Sequence, residues 1–436
     1  MNYVNGEILN DAESDAVLEN IDEMILRTLA KPPLDINRVI NACDALAADI
    51  DRLGIDKMMP GLGADQSLAE MYIGQIKHAF SADSIRKRLE IELGENYAAP
   101  RELVYLHSGA KAAQTIAPLG VLFHITAGNV DGLPFVSLLE GLLTGNINIV
   151  KLPKEEGGIT VALLQELFKI EPALCEYVYV FDYSSKDIAA MKKLAQAADA
   201  VVVWGGDEAV RAVRALASPN TKIVEWGHKI SFAYVTKSGA NDSGALAKLA
   251  RSICLTNQLF CSSCQGVFLD TDDIGDIYGF CASFLPVLDK AASEIPLSFG
   301  AAERLFIQAK ITLDIYHQRI ENRDTQNRVF TGERCSIAAC QDSRLEPSIM
   351  YRNIWVKPLK KEDVLRLLRP YKGYLQTAAL ICGEHEHGGL ARLLTRAGIV
   401  KVSDGFEMSN YAFGEAHDGV FTLRCYTKLV SVQKAR

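Results

Sequence analysis

The sequence predicts an α/β fold with two parallel-sheet domains, and three observations carry that reading. Apolar runs of strand length alternate with helical stretches from about residue 119 onward. The connections between them are short, as in sheets whose faces are covered by helices. The composition is that of a globular chain, 49% hydrophobic and 23% charged over 436 residues, which leaves room for two large domains.

Taken in order, residues 13–95 read as helices. Val17, Ile21, Ile25, Leu26 and Leu29 recur at helical spacing, as do Ile85, Leu89 and Ile91 to Leu93. Pro32 and Pro33 separate the first helix from the next, and residues 60–63 read as a loop. Strand-like runs then appear at 120–125, 146–151, 177–181, 200–204 and 222–225, with helical stretches at 133–144, 160–170, 185–197 and 207–216 between them. Ligands of such sheets bind beyond the carboxyl ends of the strands. A second α/β stretch follows, with strands at 231–236 and 265–269 and helices at 244–254, 277–292 and 301–311. Residues 421–432 alternate as a strand that pairs elsewhere.

Several function classes drop out. The net charge is −8 and Lys and Arg are scattered, so a nucleic-acid phosphate backbone finds no electrostatic footprint. The most hydrophobic stretch, 119–143, is interrupted by His124, Asn129, Asp131 and Glu140, so no membrane span is expected. The acidic, polar start does not resemble a secretory leader. Ten irregularly spaced cysteines in a long chain read as reduced thiols, and a cytoplasmic location is expected.

The chain contains no G-x-G-x-x-G; Gly61-Leu62-Gly63 lacks the third glycine and follows no strand. Trp204-Gly205-Gly206-Asp207, however, stands where a strand gives way to a helix. Paired glycines there let backbone N–H groups approach a pyrophosphate, or simply make a turn. Cys261 lies in a polar loop, Asn257 to Gln265, between a helix and a strand, where a thiol is accessible. With Cys264 it spells C-x-x-C, but neither Cys335 and Cys340 nor Cys382 with His385 and His387 completes a zinc pattern, so no metal is expected. Inert buried cysteines are the alternative. Glu225 ends a strand, as a general base or as a solvated acid at a turn. Asn129 follows the first sheet strand, as an oxyanion donor or as a helix cap. His417-Asp418-Gly419 reads as a turn or pocket wall, since no G-x-S-x-G elbow accompanies it.

Order and spacing add to these signals. The strings Gly120-Val121-Leu122-Phe123-His124-Ile125-Thr126-Ala127-Gly128-Asn129, Gly141-Leu142-Leu143-Thr144-Gly145-Asn146 and Lys151-Leu152-Pro153 resemble the aldehyde dehydrogenase superfamily. More closely, with Cys261-Ser262-Ser263 and His417-Asp418-Gly419, they resemble the acyl-CoA reductases of bacterial luminescence operons (LuxC-type). Asn129, Glu225 and Cys261 follow the superfamily's order, 96 and 36 residues apart. The resemblance runs from about residue 100 to the C-terminus.

It implies that Cys261 is the nucleophile, Asn129 the oxyanion donor and Glu225 the general acid/base. Lys151 would contact the adenine ribose, with Gly205 and Gly206 against the cofactor phosphates. Members that prefer NAD often carry Glu three residues after that lysine; Lys154 stands there instead, which favours NADPH, with NADH the alternative. The implied domains are 1–100, a helical N-terminal segment of the cofactor domain; 101–230, the nicotinamide cofactor-binding domain; 231–405, the catalytic domain; and 406–436, a C-terminal segment returning to the pocket and supplying an oligomerisation strand. The implied reaction reduces an acyl-CoA or other acyl thioester, in particular a fatty one, to aldehyde through an acyl-cysteine. An acyl-protein synthetase is the partner this suggests, and a homo-oligomer the assembly. Oxidative aldehyde dehydrogenation and a non-catalytic acyl-carrying subunit are the alternatives. Two departures stand out: Leu259-Phe260 replaces the usual Gly-Gln, and Cys264 stands where the luminescence enzymes tend to have Pro, a candidate second thiol.

Overall fold

The computed structural model describes residues 1–53, 66–126, 132–154, 158–297, 301–321, 323, 325–410 and 414–433. The chain divides into two compact units. Unit 1 comprises Met1–Gly61, Glu70–Gly227 and Phe413–Arg436; unit 2 comprises Leu62–Ala69 and His228–Ala412.

Unit 1 holds the strands β1 (Asn2–Val4), β2 (Glu7–Leu9), β3 (Arg101–Val104), β4 (Lys111–Pro118), β5 (Val121–Ile125), β6 (Ile147–Lys151), β7 (Val178–Phe181), β8 (Ala200–Trp204) and β9 (Lys222–Trp226). Its main sheet runs β2-β1-β7-β6-β5-β8-β9, with β5 to β9 mutually parallel. The chain fills one side of β5 with β6 and β7, then crosses to lay β8 and β9 on the other. That reversal makes a topological switch point at the carboxyl ends of β5 and β8, where open α/β sheets bind ligands. The central strands are apolar almost throughout because helices cover both faces. Phe123, Ile149, Val201 and Val203 pack into one core layer, while Val150, Val178 and Val180 join Phe135, Leu138 and Leu142 of the helix Leu133–Leu143 in the other.

The glycines and asparagines of the central motifs have physical reasons. A Cβ on Gly141 would lie 1.8 Å from Asn148 Oδ1, so the helix can approach β6 only without one. Asn146, fully buried, accepts from Gly120 N at 2.9 Å and donates to Tyr426 O at 3.1 Å, tying β5, β6 and the C-terminal segment together. A buried polar chain runs across the sheet. Trp204 Nε1 donates to Ser137 Oγ at 3.1 Å; that hydroxyl lies 2.7 Å from His124 Nδ1, and His124 Nε2 lies 3.0 Å from Asn148 Oδ1.

Unit 2 holds β10 (Ile230–Val235), β11 (Cys264–Leu269), β12 (Arg328–Thr331), β13 (Ser336–Ala339), β14 (Asn353–Pro358), β15 (Leu375–Ile381) and β16 (Lys401–Ser403). Their order is β12-β13-β14-β11-β10-β15-β16, with only the edge strand β12 antiparallel among these pairs. The helices Ser243–Thr256 and Ile274–Glu294 pack on one face through Leu249, Ile253, Phe280 and Phe284. The last strand, β17 (Thr427–Gln433), returns to unit 1 and pairs antiparallel with β4, which pairs with β3.

The structure corrects the sequence reading in three places, and residues 101–118, for which the sequence predicts no element, supply two antiparallel strands. The N-terminal hundred residues are not wholly helical, because β1 and β2 form a hairpin on the edge of the sheet through Asn5 (φ 52°) and Gly6 (φ 81°). Residues 406–410, grouped by sequence with the C-terminal segment, belong to unit 2, with Met408 in its core. The segment 421–432 opens as the short helix Thr422–Cys425 before becoming a strand. The loop expected at 60–63 lies outside the described residues. Among the described residues no helix is long and apolar enough to cross a membrane.

His124 gives the fold a pH dependence. Fully buried, it is held by desolvation at a pKa of about 4, so the folded chain keeps it neutral while the unfolded chain protonates it near 6.5. Its stabilising contribution is complete above pH 6.5 and declines as pH falls towards 4, by about 3 kcal/mol in all. Urea unfolding at pH 7 and 4.5 is expected to show a shallower loss of stability in His124→Asn than in the parent; equal losses would rule the histidine out as the source.

Candidate active site

Unit 2 presents Cys261 on a loop between the helix Ser243–Thr256 and β11, at the amino ends of the strands. The general rule for parallel sheets favours the carboxyl ends, so the position of Cys261 comes from the loop itself. The helix ends at Asn257, whose φ of 47° is the left-handed conformation Asn tolerates as a cap. Gln258 continues it at φ 64°, a strained conformation for such a side chain. Buried hydrogen bonds hold it there: Gln258 Nε2 donates to Cys264 O at 3.0 Å and to Ser348 Oγ at 2.9 Å, while Gln265 Nε2 donates back to Gln258 O at 3.0 Å.

Arg352 secures the same corner. It is 1% exposed, and its Nε donates to Asn257 Oδ1 at 3.2 Å and its Nη1 to Ala292 O at 3.0 Å. Burial pulls this guanidinium below its ordinary pKa. Met350, Tyr351 and Arg352 are all left-handed, at φ 64°, 50° and 72°, and Tyr351 N donates to Asn257 O at 3.0 Å. Two strained segments thus brace each other at the start of the Cys261 loop.

The loop then turns tightly. Phe260 N donates to Ser263 Oγ at 3.1 Å and Ser263 N to Phe260 O at 3.0 Å. Ser231 Oγ, at the start of β10, donates to Cys261 O at 2.8 Å, and Gln376 Nε2, at the start of β15, lies 3.3 Å from Cys261 Sγ. All ten cysteines carry thiols, and Cys261 alone is exposed.

Cys264 is different. It opens β11 fully buried, its Sγ lies 3.2 Å from Gly266 O, and desolvation pushes its pKa up to about 12. The candidate second thiol is therefore a core residue. Among the described residues, no group of three or more His, Cys, Asp or Glu is placed to hold a metal.

The other sequence-predicted residues lie in unit 1, along one edge of its sheet. Lys151 ends β6, Gly205 and Gly206 follow β8 at the switch point, and Glu225 is the penultimate residue of β9. Lys154 is exposed just beyond β6, and Asn129 lies outside the described residues. Gly205 sits where a Cβ would come within 3.0 Å of Ala209 Cβ, so the backbone there is as bare as a close-approaching phosphate requires. Glu225 is bound by Arg214, at 2.6 Å from Nε and 3.0 Å from Nη2, and with Ile223, Ser218 and Thr221 it lines an open cleft of about 580 Å³. In this arrangement its carboxylate is committed to an ion pair on the helix Asp207–Leu216. His417 lies edge-to-face with Trp204 and Trp226, at ring distances of 5.4 and 4.8 Å, on a turn formed by Asp418 (φ 49°) and Gly419 (φ 80°).

Ser231, Gln258, Arg352 and Gln376 were missed from sequence. The available signal was a polar residue near the start of an apolar strand, Ile230-Ser231-Phe232 and Leu375-Gln376-Thr377. A polar side chain buried at such a place must find a partner.

The model of the family "Acyl-CoA reductase (LuxC)" matches residues 33–429, nine-tenths of the chain. The chain belongs to the LuxC family. One relative, long-chain acyl-protein thioester reductase 2 of Photobacterium leiognathi, is 30% identical over 164 residues; the match covers 37% of this chain and only 34% of that protein. Among solved structures, succinate-semialdehyde dehydrogenase from Burkholderia pseudomallei matches 99% of this LuxC-family chain and 97% of its own, with a TM-score of 0.73 at 16% identity. NADP-dependent glyceraldehyde-3-phosphate dehydrogenase from Bacillus halodurans, complexed with NADP, matches 100% of this chain and 99% of its own, with a TM-score of 0.68 at 14% identity. The fold of this family member is that of the aldehyde dehydrogenases.

Thiol reactivity tests the assignment of Cys261. Brief treatment with iodoacetamide at pH 7.5, followed by peptide mapping, is expected to alkylate Cys261 first and to leave Cys43 and Cys264 untouched, since burial pushes both of those thiols up to about 12. Prior labelling of Cys264 would overturn the assignment.

Proposed function

We propose that this protein reduces an acyl thioester to an aldehyde, with Cys261 as the nucleophile and a nicotinamide as the reductant. The observation that carries the reading is Cys261 itself, the exposed cysteine of the ten, on a loop fixed from both sides by buried partners. A surface thiol without a role needs no such scaffold. Membership of the LuxC family and the name of the Photobacterium relative support a thioester as substrate, carried by CoA or by a protein. A long acyl chain fits that name.

In this reaction the Cys261 thiolate attacks the acyl carbonyl, a C–S bond forms, and the CoA thiolate leaves with the electron pair of the broken bond. Exchange of one thioester for another is nearly balanced, so the chain's work is to position the acyl group and keep water from it. Asn129 is the side chain assigned to hold the carbonyl oxygen. A reduced nicotinamide, when bound, supplies the hydride that turns the acyl-cysteine into a thiohemiacetal at the two-electron level of an aldehyde. Breaking of the C–S bond then releases the aldehyde and restores the Cys261 thiolate. Glu225 is the group assigned to proton transfer, and it must leave Arg214 to act.

The residues present suit such a cofactor. The switch point between β5 and β8, the bare backbone at Gly205 and the cation Lys151 at the end of β6 stand at one edge of the sheet. Lys154, exposed beyond β6, favours a 2′-phosphate, and we assign NADPH over NADH on that ground. A cytoplasmic location and a homo-oligomer built through β17 complete the proposal.

Intact mass after incubation with a long-chain acyl-CoA, then with NADPH, tests it. The expected result is an acyl adduct, absent in Cys261→Ala, that NADPH removes with release of aldehyde. An adduct that NADPH leaves in place would make the protein an acyl carrier, and no adduct would sink the thioester reading. Asn129→Ala should slow turnover by about 10² to 10³. Lys154→Glu should raise the KM for NADPH roughly tenfold while leaving that for NADH nearly unchanged; equal effects on both would remove the NADPH assignment.

A further inference from the structure

Gln376 is the second residue of β15, a strand buried along its whole length, and its own side chain is 2% exposed. An amide in such a place costs free energy unless it is hydrogen-bonded. Its Nε2 donates to Cys261 Sγ at 3.3 Å. The same corner is fixed a second time through the backbone. Ser231 Oγ donates to Cys261 O at 2.8 Å and accepts from Thr377 N at 3.0 Å, so one hydroxyl ties the nucleophile to the residue beside Gln376. The amide and the sulfur are therefore held in a common frame. An ionised sulfur accepts an N–H far better than a thiol does, so this contact favours the reactive form.

We propose that Gln376 is the positioning residue of the nucleophile, its side-chain amide orienting the Cys261 sulfur and stabilising it as the thiolate. The inference rests on Cys261 being the nucleophile, as the proposed function has it. It adds a residue from the far side of the sheet, 115 positions along the chain, to the group that makes the thiol competent.

The charged groups on the elements packed around the loop are engaged with other atoms. Lys229, ahead of β10, donates to Gly373 O at 2.7 Å, and Lys401, at the start of β16, donates to Asn410 O. Arg352 holds Asn257 and Ala292. On the helix Ser243–Thr256, Lys248 pairs with Asp404 and Arg251 with Glu294. Lys, Arg and carboxylate groups do not ordinarily titrate between pH 6 and 9, and with the exposed His228 ahead of β10 replaced by Gln in parent and variant alike, a midpoint in that window reports the thiol.

The test is the rate of alkylation of Cys261 by iodoacetamide in the full chain, followed by peptide mass from pH 5.5 to 10.5. In Gln376→Leu the midpoint should move up by about one unit, the rate at pH 7 should fall about tenfold, and the rates should converge with the parent above pH 10. Convergence also shows that the loop is intact. Ser231→Ala, which loosens the loop without touching the sulfur, should scale the rate equally at every pH. Should Gln376→Leu not fold, the isosteric Gln376→Glu places a carboxylate beside the sulfur and should raise the midpoint further. An unmoved midpoint in whichever variant folds, or uniform scaling across the pH range, would overturn the proposal. No thioester or cofactor enters this measurement. A shifted midpoint without an acyl adduct would thus sink the reductase reading and leave Gln376 in place; an adduct with an unmoved midpoint would do the reverse.

Discussion

One buried hydroxyl organises the Cys261 loop. Ser231 Oγ, at the first turn of chain into β10, reaches the Cys261 carbonyl on one side and the Thr377 amide on the other. It thereby fixes a loop to two strands that are otherwise joined only by their ladder. Loops are usually mobile because their backbone groups bond to water. This one is instead satisfied from inside the sheet, which lets an exposed thiol keep a defined direction. The left-handed pair Asn257 and Gln258 is the conformational cost of that arrangement, of order 1–3 kcal/mol per residue, and the Arg352 and Ser348 contacts offset it.

Unit 1 uses the same device at a larger scale. Its sheet is apolar on both faces, yet Trp204, Ser137, His124 and Asn148 carry a continuous run of hydrogen bonds through it. Each member would be expensive to bury alone; linked, they fix which helix face lies on which strand. Gly141 is what allows the run to close, since any side chain there would meet Asn148. The helix Leu133–Leu143 and the ends of β5 and β8 are consequently set by one network, and the switch point inherits its geometry from it.

Much of this was legible in the sequence where burial produces simple patterns. β8 and the helix Asp207–Leu216 were read to the residue, because Ala-Val-Val-Val-Trp ending in paired glycines leaves no competing assignment. The Cys261 loop was legible because polar residues separate a helical period from an apolar run. The strands between residues 311 and 421 were not. β14 carries Lys357, which is fully buried and satisfied by Asp342 and Glu346, and β15 opens with Gln376 and Thr377. Such residues erase the apolar signal while the partners that pay for them lie in distant segments. The hairpin of β1 and β2 was missed for a different reason. Its Asn5-Gly6 turn is a strong local signal, but only three residues flank it on each side.

Each unit illustrates how charge placement separates roles. The helix Asp207–Leu216 begins beside Gly205 and Gly206, and its amino end alone would attract a phosphate. Asp207 and Glu208 stand in its first turn, however, and offset that attraction. On the proposed function the glycines would then offer close approach rather than strong binding, with the cations Lys151 and Lys154 supplying the charge. In unit 2 the division is sharper still. Desolvation silences Cys264, whereas Cys261, three residues earlier, faces solvent beside a donor amide. Two thiols in one short motif thus differ, one silenced by burial and the other exposed beside the Gln376 amide.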